Sequence, residues 1–444
     1  MTTETSETRP APSPPPAPLA RNRDYNILWT SRLCSELGFE LALVGIPLLI
    51  LAQGGSPLQM GAASSLLAAV RMAATLPAGV IADRWNRRRV MICCEGVRAV
   101  ATGALALSLA LGHYAFWQLV VLVVVEGAFG AVFGPAEHAA LPQVVAAEQL
   151  PSALARNAAR PFLATLLGPV AAGLLFTVHP TGPFTTTAVM LALSFATLLA
   201  LRLPPRPAAR PAAGPATGAA ADADGTGEAD PDGTGGARAA LAGFRRVLRG
   251  RVIRASLLWM AAVNLLFNAL LVVILARSGE DRIGPGQIGL MMACLGAGGL
   301  LGAVLAPRLY AALPPRVLVL GFAPVAAAAT GLMVLVPAGI PLGLLLGVAA
   351  FLAPAANTAV LTYQLAVVPD ELRGRLSAAA AFCSGAAGAL GPLLGGLLTA
   401  RHGGTATGVL ACAAGLGLVA VAGLCSPALR SLRPTPTPVD PAEG

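Results

Sequence analysis

Ionisable side chains stand inside stretches that are otherwise apolar, among them Arg32, Glu36 and Glu40 within residues 25–52, Arg71 within 57–82, and Glu126 within 116–137. A charge at the centre of a membrane-spanning helix costs roughly 2.5–3.5 kcal/mol even on insertion scales, so such residues mark function or a compensating partner. Arg32, Glu36 and Glu40 recur at intervals of four, which puts them on one face of a helix. A carboxyl beside a guanidinium in a low dielectric holds or releases a proton as the partner moves. Glu36 and Glu126 suit that role best, with Glu40 nearer the far end of its helix. The competing account is a static ion pair, Arg32 with Glu36 or Arg71 with Glu126.

Further along, the polar residues deep in apolar sequence are uncharged: Asn264, Asn268, Asn357 and Tyr363, with Gln364 beside it. Amides in an apolar wall orient a lipophilic ligand or hydrogen-bond between helices. Catalytic constellations are missing from the sequence. It has no Lys, all 30 basic residues being Arg, so a P-loop or a Schiff-base lysine is excluded. The seven Cys (Cys34, Cys93, Cys94, Cys294, Cys383, Cys412 and Cys425) lack C-x-x-C spacing and the four His are scattered, so no metal site, cofactor or enzymatic activity is expected.

The elements that must position these groups follow from composition. Of 444 residues, 56% are hydrophobic and 11% charged, and the mean hydropathy is +0.72. Soluble domains carry about 25% charged residues, so this chain cannot build a polar shell. Apolar spans are expected at roughly 25–52, 57–82, 90–111, 116–137, 152–176 and 184–203, then at 251–277, 286–306, 316–336, 341–366, 376–400 and 405–425. Each is long enough to cross a bilayer. The prediction is an all-α membrane protein of twelve transmembrane helices in two six-helix bundles, 22–203 and 251–426. Disordered tails are expected at 1–21 and 427–444. Residues 204–250 read as a linker ending in a basic amphipathic helix over 241–254.

Arginine placement sets orientation. With both termini inside, 24 Arg fall on the cytoplasmic side, three outside (Arg277, Arg282 and Arg401) and three within spans (Arg32, Arg71 and Arg98). Cytoplasmic termini in the cell membrane are therefore expected. The net charge of +9 is a topology signal and implies no nucleic-acid partner. The lipid bilayer, a small molecule and protons are the expected partners of a monomer.

The halves repeat. Leu76–Arg84 aligns with Leu300–Arg308 at an offset of 224, and Gly168–Gly173 with Gly391–Gly396 at an offset of 223. Parallel six-helix repeats place a binding site at their interface. Gly130-x-x-x-Gly134, Gly298-x-x-x-Gly302, Gly343-x-x-x-Gly347 and Gly391-x-x-x-Gly395 suit close helix approach. Gly168-Pro169 and Gly391-Pro392 are expected to bend their helices.

Between the second and third spans lies Gly79-Val80-Ile81-Ala82-Asp83-Arg84-Trp85-Asn86-Arg87-Arg88-Arg89. It resembles the G-x-L-a-D-R-x-G-R-[RK] loop of the major facilitator superfamily, with Asn86 in the usual Gly position. Ser35-Glu36-Leu37-Gly38, Glu95-x-x-Arg98-Ala99 and Phe133-Gly134-Pro135-Ala136 resemble the drug-efflux branch that includes macrolide and siderophore exporters, as does Val368–Arg375. The resemblance covers nearly all of 22–426. It departs at Phe39 and at the absence of an R-x-x-Q-G motif near Glu126-Gly127. It implies a secondary transporter with helices one, four, seven and ten around a central cavity. Glu36, Glu40 and Glu126 would then lie in or near that cavity, with Arg32 and Arg71 as partners and the proton gradient as energy source. The loop Gly79, Asp83, Arg84, Arg87, Arg88 would latch the cytoplasmic side, with Asp83 capping a helix and Glu95 and Arg98 bracing it. Gly168-Pro169 resembles an antiporter signature, which favours export. An importer, a facilitator or a non-transporting sensor on the same fold are the alternatives.

Overall fold

The computed structural model describes residues 18–203, 250–368, 370–401 and 404–430. The linker 204–249, with most of the expected amphipathic helix, and the tails 1–17 and 431–444 lie outside them. The described residues form α1 (Arg23–Ala52), α2 (Pro57–Arg84), α3 (Arg87–Ala110), α4 (Phe116–Val144), α5 (Leu150–Val178), α6 (Gly182–Leu199), α7 (Arg251–Glu280), α8 (Pro285–Ala312), α9 (Pro315–Leu332), α10 (Ile340–Val367), α11 (Asp370–Arg401) and α12 (Thr405–Cys425). Eleven of them are long and apolar enough to cross a membrane. The remaining one, α2, has 28 residues, about 42 Å at 1.5 Å per residue.

Local chemistry sets the ends. Asn22 caps α1 through the Tyr25 N–H, and Ser56 and Gln59 form a capping box on α2 just ahead of Pro57. Gly54 and Gly112, at φ 71° and 77°, turn the chain after α1 and α3. The α10 span is broken at Leu352, between segments Ile340–Phe351 and Ala353–Val367.

Each half has six helices, and the halves meet along α2 with α11 and α5 with α8. These two seams are copies of each other. Gly61 and Gly396 let α2 and α11 bring backbones together at the Pro392 and Pro57 carbonyls; Gly289 and Gly173 do the same for α8 and α5 at the Pro169 and Pro285 carbonyls. A methyl group on any of the four would fall within 2.8 Å of that carbonyl. In space Pro57 corresponds to Pro285 and Gly61 to Gly289, an offset of 228. The sequence match of 224 for this helix pair is therefore displaced by four residues. That is about one helical turn, a slip that keeps the same face and so preserves the residue pattern.

Among the described residues, the apolar core shared by the two halves lies at one end. Leu49, Ile50 and Phe176 of the first half share a continuous buried core with Ile274, Met291 and Leu342 of the second, at the end away from the termini. Towards the terminal end the cores separate. Leu28, Met91, Phe133 and Leu198 cluster within the first half, Ile253, Leu257 and Leu376 within the second. The two halves are thus closed at the far end and parted at the arginine-rich end.

Candidate functional site

Arg98 of α3 is fully enclosed, 2% exposed, between two acids that are 0% (Glu95) and 1% (Glu126) exposed. Its Nη1 donates to Glu95 Oε1 and to Ser35 Oγ at 2.7 Å each. Its Nε and Nη2 donate to Glu126 Oε2 at 2.9 and 2.8 Å. Ser35 Oγ in turn donates to Glu95 Oε1 at 3.1 Å. One turn apart on α3, Glu95 and Arg98 face inward towards α1 and α4, and Gly130 of α4 leaves the space that the guanidinium fills. Glu95 Oε2 and Glu126 Oε1 are buried without a hydrogen-bond partner among the described residues. Two carboxyls therefore share one guanidinium.

This arrangement corrects three expectations. Glu95 and Arg98 do not brace the loop after α2; they form the centre of the first bundle. Glu126 pairs with Arg98 and not with Arg71, and it is closed inside the bundle instead of facing an open cavity. Gly130 and Gly134 do not bring α4 against another helix: they flank the guanidiniums of Arg98 and Arg32. Arg32 itself bonds Glu36 at 2.8 Å and lies over the Phe133 ring at 5.4 Å, so that expected pair does form.

Glu40 accepts a hydrogen bond from Thr165 Oγ1 of α5 at 3.1 Å and fills the space left by Gly168. Arg71 stacks on Phe39 with 4.6 Å between guanidinium carbon and ring centre. It also lines a cavity of about 480 Å³ between α2 and α11, with Met72, Thr75, Phe382 and Gly385. Gly168-Pro169 and Gly391-Pro392 act as packing points. Gly168 receives Glu40 while the Pro169 carbonyl meets α8; Gly391 receives Asn268 while the Pro392 carbonyl meets α2.

In the second half Asn264 and Asn357 line one small cavity of about 80 Å³ with Trp259, Phe267 and Phe322. The Asn264 and Asn268 amides donate to carbonyls four residues back on their own helix, Met260 and Asn264, at 2.9 and 2.8 Å. They are not the interhelical bonds considered from sequence. That bond is made by Gln364 Nε2, which donates to Ser256 Oγ of α7 at 2.9 Å. Tyr363 is half-buried against the shared core.

At the arginine-rich end Asn86 caps α3, its Oδ1 accepting from the Arg89 N–H. The cap is therefore Asn86; the side chain of Asp83 is outside the described set. Gly79 has open space around it and Arg84 is exposed. Arg87 donates to the Ala139 carbonyl of α4, and Arg88 to the carbonyls of Leu198 and Leu199 at the end of α6. Cations at helix C-termini are favoured by the dipole, so the loop ties α3 to α4 and α6.

A second buried pair escaped the sequence reading. Glu137 of α4 and Arg160 of α5, 1% and 3% exposed, bond at 3.0 Å, with the Tyr25 hydroxyl and Asn157 beside them. Glu137 is the last residue of the expected span 116–137, and Arg160 lies inside 152–176 but falls with the cytoplasmic arginines in the orientation count, so each looks like an ordinary anchor. The only available signal was that Glu137 is an acid at an arginine-rich end.

Residues 28–345 match the Major Facilitator Superfamily. Among curated proteins, the chain is 28% identical over 434 residues to the multidrug efflux pump Tap of Mycobacterium tuberculosis, covering 90% of this chain and 92% of Tap. It is 24% identical over 363 residues to the enterobactin exporter EntS of Escherichia coli, covering 80% of each. Among solved structures, it superposes on a bacterial homologue of the human lysosomal transporter Spinster in its inward-facing, unoccupied conformation. The TM-score is 0.68 at 15% identity, with 94% of this chain and 99% of that one covered. The nucleoside transporter NupG gives a TM-score of 0.69 at 12% identity, with 90% and 98% covered. Two six-helix halves joined along matching seams, and a match over more than half its length, make this chain an integral membrane protein of the Major Facilitator Superfamily.

Proposed function

We propose that this protein is a proton-coupled exporter of a lipophilic small molecule, working by alternating access in the cell membrane with both termini cytoplasmic. The observation that carries the proposal is the Glu95–Arg98–Glu126 cluster: one guanidinium balances one carboxylate, and the second carboxyl is electrically balanced when it carries a proton. A buried group that must take up or release a proton when its surroundings open is what coupling to a proton gradient requires. Ser35 ties the cluster to α1, so a tilt of α1 changes the contacts of Glu95 and Arg98 together. The arginine excess favours a cytoplasmic terminal end. The open end of this structure would then face inward, where substrate enters, and opening the opposite end requires the two glycine seams to part. Export rests on two relatives whose names state it, a multidrug efflux pump and an enterobactin exporter.

The direction is tested with everted and right-side-out membrane vesicles, an imposed pH gradient and fluorescent lipophilic dyes of either charge. Everted vesicles are expected to accumulate dye in the presence of the gradient and lose it on addition of a proton–potassium exchanging ionophore. Gradient-driven accumulation confined to right-side-out vesicles would reverse the proposal to import.

A further inference from the structure

Arg71 is unlike the other intramembrane cations: it has no carboxylate within 4.0 Å among the described residues. Arg32 and Arg160 each hold one, and Arg98 holds two. Its position on α2 shows where it points. Leu67 and Val70 pack on Gly127 of α4, while Gly61, Ser65 and Met72 pack on α11. Arg71 lies on the arc between these two contacts and reaches Phe39 of α1. The guanidinium thus opens on the space enclosed by α1, α2 and α11, on the inner side of the seam. Of the nearby acids, Glu126 pairs with Arg98 and Glu40 accepts from the Thr165 hydroxyl, and neither comes within 4.0 Å of Arg71.

The wall around it is apolar. The cavity of about 480 Å³ is lined by Ala68, Met72, Phe382 and small residues of α11, with Arg71 its single charged lining group and the Thr75 hydroxyl one turn below. Phe39 covers one face of the guanidinium, which leaves the N–H groups of its edge for an acceptor; a planar fork of this kind matches a carboxylate or sulfonate bidentately. An unpaired guanidinium in such surroundings gains from an anion that arrives with its own apolar body.

We infer that Arg71 and this cavity form the substrate subsite, and that the substrate is a lipophilic anion: an apolar body seated against Met72 and Phe382, with an acidic group on the free edge of Arg71. The inference rests on the export reading above and adds the charge of the cargo. The second half fits the same division, since its central polar groups Asn264 and Asn357 are neutral.

Tetraphenylborate and tetraphenylphosphonium share a shape and differ in sign, so they separate charge from lipophilicity. Their binding to the purified full-length protein is measured by equilibrium dialysis in detergent. Protein-free micelles are subtracted. Wild type is expected to bind the borate about tenfold more tightly than the phosphonium, by charge sign alone, since the borate offers the guanidinium edge no acceptor. Arg71→Gln should lose the preference, Arg71→Lys should keep part of it, and Glu40→Gln should keep or increase it. Equal affinities, a preference for the phosphonium, or an unchanged preference in Arg71→Gln overturns the inference. A lost preference in Glu40→Gln also does so, because removing a negative charge near a free guanidinium should only strengthen anion binding there. If Arg71→Gln melts well below wild type, the Arg71→Lys and Glu40→Gln results decide. Absence of charge preference with gradient-driven dye export intact defeats this inference alone. Charge preference without export defeats the export reading alone.

Discussion

Glu40 and Asn268 occupy the same place in the two halves: each is the side chain for which a glycine of the facing helix, Gly168 on α5 or Gly391 on α11, leaves room. By the same offset of 228, Glu36 corresponds to Asn264, so two carboxylates on α1 become two amides on α7. The duplicated scaffold is retained while charge is kept in one half.

The glycines at these junctions are predicted to be intolerant. Gly168→Ala and Gly391→Ala should each destabilise the purified protein by about 1–3 kcal/mol, as overpacking does. The added methyl of Gly391→Ala would meet the Leu265 carbonyl at 2.6 Å and Asn268 Cβ at 2.7 Å. Thermal unfolding in detergent reads this directly. Gly79→Ala, helical and with open space around it, should leave the melting temperature unchanged or slightly raised. Equal melting of all three variants would show that the junctions are not tight.

Asn86 stands where the resembling loop usually has Gly, and the structure gives it the N-cap of α3. Asn86→Ala should cost about 1 kcal/mol and Asn86→Gly only a few tenths. A melting series of the two variants separates them. Equal losses would mean that Asn86 acts through a contact other than the cap.

Arg98 must satisfy Glu95, Ser35 and Glu126 at once through three different nitrogens. A lysine offers a point charge in place of a fork. Arg98→Lys is expected to insert into the membrane yet reduce transport at least about tenfold. Arg98→Leu leaves two buried carboxyls unpaired and should cost about 3–5 kcal/mol, seen as a loss of folded protein in detergent. Normal transport by Arg98→Lys would show that the shared guanidinium is dispensable.

How far the sequence went follows from what is local. Span positions were legible because hydropathy over about 20 residues is an intrinsic property of each segment, and Arg32–Glu36 was legible because both lie on one helix four residues apart. The partner of Glu126 was not, since it depends on how α3 is rotated against α4, which hydropathy does not encode. The inward orientation of Arg98 depends on the same rotation, so from sequence it reads as an end-of-span brace. Glu137 and Arg160 are 23 residues apart on different helices, and each alone looks like an anchor. Glycine spacing predicts helix contact, and Gly298 and Gly302 make it against Gly347 and Phe351 of α10. In α4 the same spacing makes room for two arginines.

The coupling role of the Glu95–Arg98–Glu126 cluster is tested most directly by comparing uphill transport with exchange in proteoliposomes. Wild type, Glu95→Gln and Glu126→Gln are reconstituted with a transported dye. Gradient-driven accumulation is measured beside dye-for-dye counterflow at equal pH. The account predicts that at least one of the two variants loses gradient-driven accumulation while keeping counterflow near the wild-type rate. Full gradient-driven accumulation by both variants would contradict it.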